Sequence, residues 1–187
     1  DPILQSAKNG NLVAADVLNP ASTQFEIKMT RRLGDTWTPP VQINPATGPN
    51  IDEFNFLGMA VDADDTAHFY WYELTSETTG DAQNSTTTIE TVIYYRGRTA
   101  LDAFTGAPQA VHTATRTVVV SDGELASDTG ENGDRRYASY TAIATDNTPR
   151  VAFTLERAVA GTIAHRVYIA DASAAVPLFN NSVVVGL

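Results

Sequence analysis

Phe56-Leu57-Gly58-Met59-Ala60-Val61-Asp62-Ala63-Asp64-Asp65-Thr66-Ala67-His68-Phe69-Tyr70-Trp71-Tyr72 is the stretch whose reading decides the fold. An apolar run from Phe56 to Val61 meets a turn at Asp64-Asp65, and a second run follows from Ala67 to Tyr72. A third run, Val92-Ile93-Tyr94-Tyr95-Arg96, ends on a basic residue. Aromatic and small residues around a two-residue polar corner predict a hairpin followed by a third strand.

Working outward, the same pattern recurs on either side. Upstream, Ile3 to Ala7 leads to the turn Asn9-Gly10, then Leu12 to Val17, then Phe25 to Arg31. Downstream, Ala138 to Ala144 leads to Asp146-Asn147, then Arg150 to Leu155, then Ile163 to Tyr168. Asn9-Gly10 is the strongest hairpin signal, because both residues tolerate the positive φ that a two-residue turn needs. In Phe25 to Arg31, Phe25, Ile27 and Met29 interleave with Glu26, Lys28 and Thr30, the period of a strand with one buried face. Val151, Phe153 and Leu155 alternate in the same way. The first strands, such as Gly58-Met59-Ala60-Val61 and Thr141-Ala142-Ile143-Ala144, are small and apolar on both faces, as in a crowded interior.

Fourth strands are expected at Val41 to Asn44, Thr117 to Ser121 and Ser182 to Val185. The predicted class is all-β, of β-propeller type, with about three four-stranded antiparallel blades: a partial propeller, or half of a six-bladed ring. The blades would occupy 1–50, 51–121 and 134–187 of a single repeat domain spanning 1–187, with a polar loop over 122–133. Two polar inserts, Thr75 to Thr91 and Ser121 to Arg136, are expected to be surface loops. A compact β-sandwich with an accidental repeat is the remaining alternative.

Composition narrows the partners. A formal net charge of -10 and a pI near 4.5 argue against a phosphate-backbone partner, so no nucleic acid is expected. No apolar stretch reaches the length of a membrane-spanning helix. The opening Asp1-Pro2 carries neither a charged nor an apolar leader segment, so the chain is expected to be processed or part of something longer. The absence of Cys excludes disulfides and thiolate metal sites. Abundant Thr, Asn and Asp with few Lys set the expectation of an exported protein, extracellular or associated with a cell or virion surface.

The segment Thr30-Arg31-Arg32-Leu33-Gly34-Asp35-Thr36-Trp37 resembles a degenerate Asp-box, the Ser-x-Asp-x-Gly-x-Thr-Trp turn of bacterial neuraminidase repeats. Gly34, Thr36 and Trp37 match, Thr30 stands for Ser, and Arg32 replaces the Asp. The resemblance to sialidase-like propellers covers one blade as a motif and most of the chain as strand rhythm. It implies a fold in which the box is a folding element remote from the ligand. Sialidase chemistry, as the resemblance implies it, needs an arginine triad, a Tyr with a Glu partner and an Asp acid; Arg135 and Arg136 are adjacent, so on one strand they point to opposite faces.

Propeller ligands sit at the channel mouth, and the loops entering it hold Asp52, Glu53, Glu131, Asp134, Arg135, Arg136 and Tyr137. These are the ligand-binding candidates, with Arg135 or Arg136 clamping a carboxylate in bidentate fashion. The bland alternative is a solvated loop whose charges pair among themselves. Glu53 with Glu131 or Asp134 would supply the carboxylate pair of a glycoside hydrolase. Asp128, Glu131 and Asp134 lie in a Gly-containing loop rich in hard oxygen donors that would suit Ca²⁺. His68, His112 and His165 have no ligand spacing and read as ordinary strand residues. Tyr70, Trp71, Tyr72, Tyr94 and Tyr95 could form a sugar-stacking platform, but read more simply as interblade packing. Asn84-Ser85-Thr86 and Asn180-Asn181-Ser182 fit the glycosylation pattern. The expected function is a non-catalytic module recognising carbohydrate or a protein surface, completed by self-association or further blades; the alternative is a sialidase-like hydrolase completed by a partner or by further sequence.

Overall fold

The computed structural model describes residues 3–7, 10–21, 24–45, 51–101, 103–133, 141–145, 148–160, 162–172 and 175–177. Every regular element among them is a strand. They are β1 (Ile3–Ser6), β2 (Leu12–Ala21), β3 (Gln24–Leu33), β4 (Thr36–Trp37), β5 (Val41–Gln42), β6 (Glu53–Val61) and β7 (Ala67–Gly80). There follow β8 (Ser85–Arg98), β9 (Gln109–Ser121), β10 (Glu124–Asn132), β11 (Thr141–Thr145), β12 (Thr148–Val159), β13 (Thr162–Ala170) and β14 (Ala175–Pro177). No helix among the described residues is long and apolar enough to cross a membrane.

The strands form two antiparallel sheets. In the smaller, β1, β2 and β3 run as a meander, and β4 and β5 share the far edge of β3. The larger runs β6, β7, β8, β9, β10, β12, β13, β14, with β11 beside β10 on the same edge of β12. It curls into a half-barrel, bringing β11 back against β6, and β1 of the smaller sheet also lies against β6.

Two expected loops are strands instead. Thr75 to Thr91 lies at the surface, but it extends the β7–β8 hairpin in unbroken register from Ala67↔Arg98 to Gly80↔Ser85. Alternating Thr and Ser hold a strand well, because β-branched side chains suit the pleat even where nothing covers them. Segment 122–133 carries β10, which pairs with β9 on one side and β12 on the other. It therefore joins the second and third repeats rather than separating them. Gly130 makes this possible: it has φ +107°, and a Cβ there would stand 2.0 Å from the Thr115 carbonyl oxygen. The expected fourth strand at Ser182 to Val185 lies outside the described residues; β14 forms at Ala175–Pro177.

The core comprises two clusters on opposite faces of the β6–β9 meander. On one side Val13, Ala15, Ile27 and Met29 meet Met59, Phe69 and Trp71. On the other Tyr70, Tyr72, Leu74, Ile93 and Tyr95 meet Val151, Phe153, Leu155 and Tyr168. Successive residues of β7 thus point into different clusters, which explains its run of buried residues from Ala67 to Tyr72. Each large side chain so buried contributes about 1.5–3 kcal/mol. The aromatic residues of β7 are buried in the two clusters and offer no platform for a sugar: Tyr70, Trp71 and Tyr72 are at most 1% exposed.

Candidate functional site

The mouth residues expected from the sequence divide between two clusters and a segment outside the described residues. Asp52 is exposed, and its N–H donates to the Leu74 carbonyl. Glu53 begins β6 opposite Leu74 and accepts the Tyr72 hydroxyl at 2.5 Å. The Tyr72 ring lies against Gly133, where a Cβ would stand 3.4 Å away, and the Gly133 N–H donates to Thr91 Oγ1 at 3.0 Å. Glu53 and the end of β10 therefore come together through Tyr72. Asp134, Arg135, Arg136 and Tyr137 lie outside the described residues.

Glu131 belongs to a different group. Its carboxylate accepts from the Tyr168 hydroxyl, has Arg166 Nη1 at 3.1 Å, and lies 3.9 Å from Arg157 Nε. Strand register explains this assembly: Glu131 is opposite Arg157 across β10 and β12, and Arg166 and Tyr168 are alternate residues on β13. Burial pushes the Tyr168 hydroxyl above its usual range, and the Glu131 carboxylate adds to the effect. The neighbouring Tyr168 oxygen raises the Arg166 guanidinium further. His112 packs its ring 4.6 Å from that of Tyr168, and burial holds it below the ordinary imidazole range.

Asp128, the other acidic residue of the Ca²⁺ candidate, has both oxygens engaged. Arg116 Nε reaches Oδ1 at 2.7 Å and Nη2 reaches Oδ2 at 2.6 Å, while Nη1 donates to Asn132 Oδ1 and Glu156. Asp128 and Glu131 thus serve separate clusters, and among the described residues no three His, Cys, Asp or Glu side chains gather as metal ligands would. The Asp128 fork raises the Arg116 guanidinium above its usual value despite burial. Arg116 and Glu156 carried no sequence signal, because the contact depends on β10 bridging β9 and β12.

A third constellation lies at the β6–β7 turn. Asp62 Oδ1 accepts the N–H groups of Asp64 and Thr66, each at 2.9 Å, and Oδ2 faces His68 Nε2 at 2.8 Å. His68 Nδ1 in turn lies 2.9 Å from the Tyr95 hydroxyl. Burial lowers the His68 pKa, and Asp62 opposes this without reversing it. A neutral ring bearing its proton on Nε2 donates to Asp62 and accepts from Tyr95. For Asp62, burial would raise the pKa, but the bonds from His68 and the two backbone N–H groups outweigh it and hold the carboxyl below its usual range. The sequence offered only a hairpin tip and a strand histidine here. The structure joins them into one buried relay that fixes the turn to β8.

The resemblance segment closes the first sheet. Gly34, with φ +61°, turns β3 into β4, Arg32 pairs with Asp35 at 3.0 Å, and Thr30 Oγ1 donates to the Thr38 carbonyl at 2.6 Å. No family model, curated protein or solved structure matches the chain.

Proposed function

We propose that this chain is a non-catalytic β-propeller-type module that recognises carbohydrate, exported to a surface where such ligands occur. The propeller reading is supported by three meanders in succession, β1–β3, β6–β9 and β11–β14, whose first strands β1, β6 and β11 are neighbours. The β10 crossing is a departure from separate blades.

The observation carrying the recognition reading is the outward face of the extended β7–β10 sheet. Cross-strand register aligns Glu77, Thr88, Thr117, Thr129, Val159 and Thr162 in a single row over six strands. All of these are exposed except Thr117, which is half-buried. Neighbouring rows add Thr79 with Thr86 and Thr75 with Glu90 and Thr115. Hydroxyls spaced by about 4.8 Å between strands, with Glu77 and Glu90 among them, form a broad hydrogen-bonding surface suited to a polyol. The buried charges support a structural role for themselves, since Arg116 is committed to Asp128 and Glu156, and Asp62 to His68.

A glycan array followed by calorimetry tests the proposal. The triple variant Thr88→Val, Thr117→Val, Thr129→Val should lose binding while keeping the strand signature by circular dichroism. Binding unchanged by that variant would refute the Thr face as the site. The hydrolase reading is favoured by one observation, the Tyr168–Glu131 couple beside Arg166 and Arg157, which matches part of the residue set the resemblance implies. Against it, Tyr168 is 4% exposed. Turnover of a fluorogenic sialoside that is lost in Glu131→Gln would favour this second reading.

A further inference from the structure

The two core clusters obey one packing rule. Equating sequence positions 9–10, 64–65 and 146–147 aligns Val13, Ala15 and Val17 of β2 with His68, Tyr70 and Tyr72 of β7 and with Arg150, Ala152 and Thr154 of β12. Each set lies on one face of its strand, which may be termed the leading face. The alternate residues form the trailing face: Ala14, Asp16 and Leu18; Phe69, Trp71 and Glu73; Val151, Phe153 and Leu155. The leading face of the first meander packs on the trailing face of the second, and the leading face of the second on the trailing face of the third.

Two faces remain over. The trailing face of the first meander contains a groove of about 210 Å³ lined by Ala14, Asp16, Leu18, Lys28, Thr30 and Pro40. Beside it Leu4, paired with Ala14, is 60% exposed, and Leu18 is 43% exposed. The leading face of the third meander presents Ala152, Thr154, Val167 and Ile169, partly exposed, with Arg150 exposed.

We propose that this groove docks the leading face of the third meander of a second copy of the chain, the two copies closing head to tail about a two-fold axis. The inference rests on the stacking half of the functional reading, not on its ligand. Three features identify the occupant. The mating of leading with trailing faces is already used twice within the chain, so the open pair continues an interface that the sequence is built to make. The groove is apolar apart from Asp16, Lys28 and Thr30, and the opposing face is composed of small and β-branched residues beside Arg150. One charge pair is available across the joint as well, since Asp16 lies on the trailing face and Arg150 on the leading face, while Glu26 is already engaged by Lys28 at 2.8 Å. Contact between two different faces assembles without limit unless rotation closes it, and two arcs of three meanders close as a ring of six.

Light scattering tests the proposal, with an expected mass of twice 20.1 kDa. Leu18→Arg and Val167→Arg should each give folded monomers by circular dichroism, and mixing the two should restore a dimer, because one joint then has two native faces. The chain has no cysteine, so Ala14→Cys with Ala152→Cys should form a covalent dimer on oxidation. A monomer at tens of micromolar, a mixture that stays monomeric, growth into larger species, or cross-linking by Ala14→Cys alone would each overturn it. Glycan binding retained by monomeric Leu18→Arg would separate failure of this interface from failure of the proposed ligand face.

Discussion

Strands β2 and β7 hold equivalent places in their repeats, yet β7 buries residues on both faces and β2 on one. In β2, Val13 and Ala15 are at most 2% exposed while Leu18 on the other side is 43% exposed; in β7, Phe69, Tyr70 and Trp71 are all 0% exposed. Side-chain size follows position in the stack. A strand with neighbours on both sides carries aromatic residues on both faces, and a strand at the end carries Ala14 and Asp16 where its equivalent carries Phe69 and Trp71.

Trp71→Ala should break this comparison most severely. It removes a fully buried indole between two sheets, also deleting the bond from Nε1 to Glu73 Oε1, and is expected to cost about 3–5 kcal/mol in urea unfolding. Asp62→Ala should cost about 1–3 kcal/mol, because two turn N–H groups and His68 lose their acceptor. The same relay predicts a pH dependence. His68 has a lowered folded-state pKa, so below its unfolded value near 6.5 the unfolded chain binds more protons and stability falls as pH drops; Asp62, also lowered, extends the loss below 3.8. Thermal melts at successive pH values should show that decline starting below neutrality, and Asp62→Ala should deepen the His68 part of it, because Asp62 opposes the lowering caused by burial.

Two hydroxyls on the same face of β7 sharpen the contrast. Tyr72→Phe loses the bond to Glu53 and should cost about 1 kcal/mol, whereas Tyr70→Phe should be neutral or slightly stabilising. The Tyr70 hydroxyl is buried with no hydrogen-bond partner among the described residues, so its removal forfeits nothing. Smallest of all, Leu18→Ala at the end of the stack should change unfolding by no more than about 0.5 kcal/mol when measured at concentrations that keep copies apart.

Much of the strand plan was legible because local patterns encode it. Phe25 to Arg31 alternates and became β3; Asp64-Asp65 falls at the β6–β7 corner; the apolar block from Ala67 to Tyr72 is doubly buried. Polar strands were harder to read. Thr75 to Thr91 and Glu124 to Asn132 bury little, and what makes them strands is hydrogen bonding to neighbours distant in sequence. The site was less legible for the same reason. Glu53 and Glu131 were singled out, but their partners Tyr72 and Tyr168 are set by cross-strand register, which one-dimensional spacing does not reveal. The Arg116 cluster depends on three strands at once.

Strand β10 has a mechanical consequence. Ordinary stacked repeats share only side-chain contacts, so one unit can melt while its neighbour persists. Here a continuous ladder of backbone bonds runs from β6 to β14, and the third meander cannot peel from the second without tearing main-chain pairing along one edge of β10 or the other. The second and third repeats should therefore behave as one cooperative block, with the first, attached through its side chains, as the separable lobe.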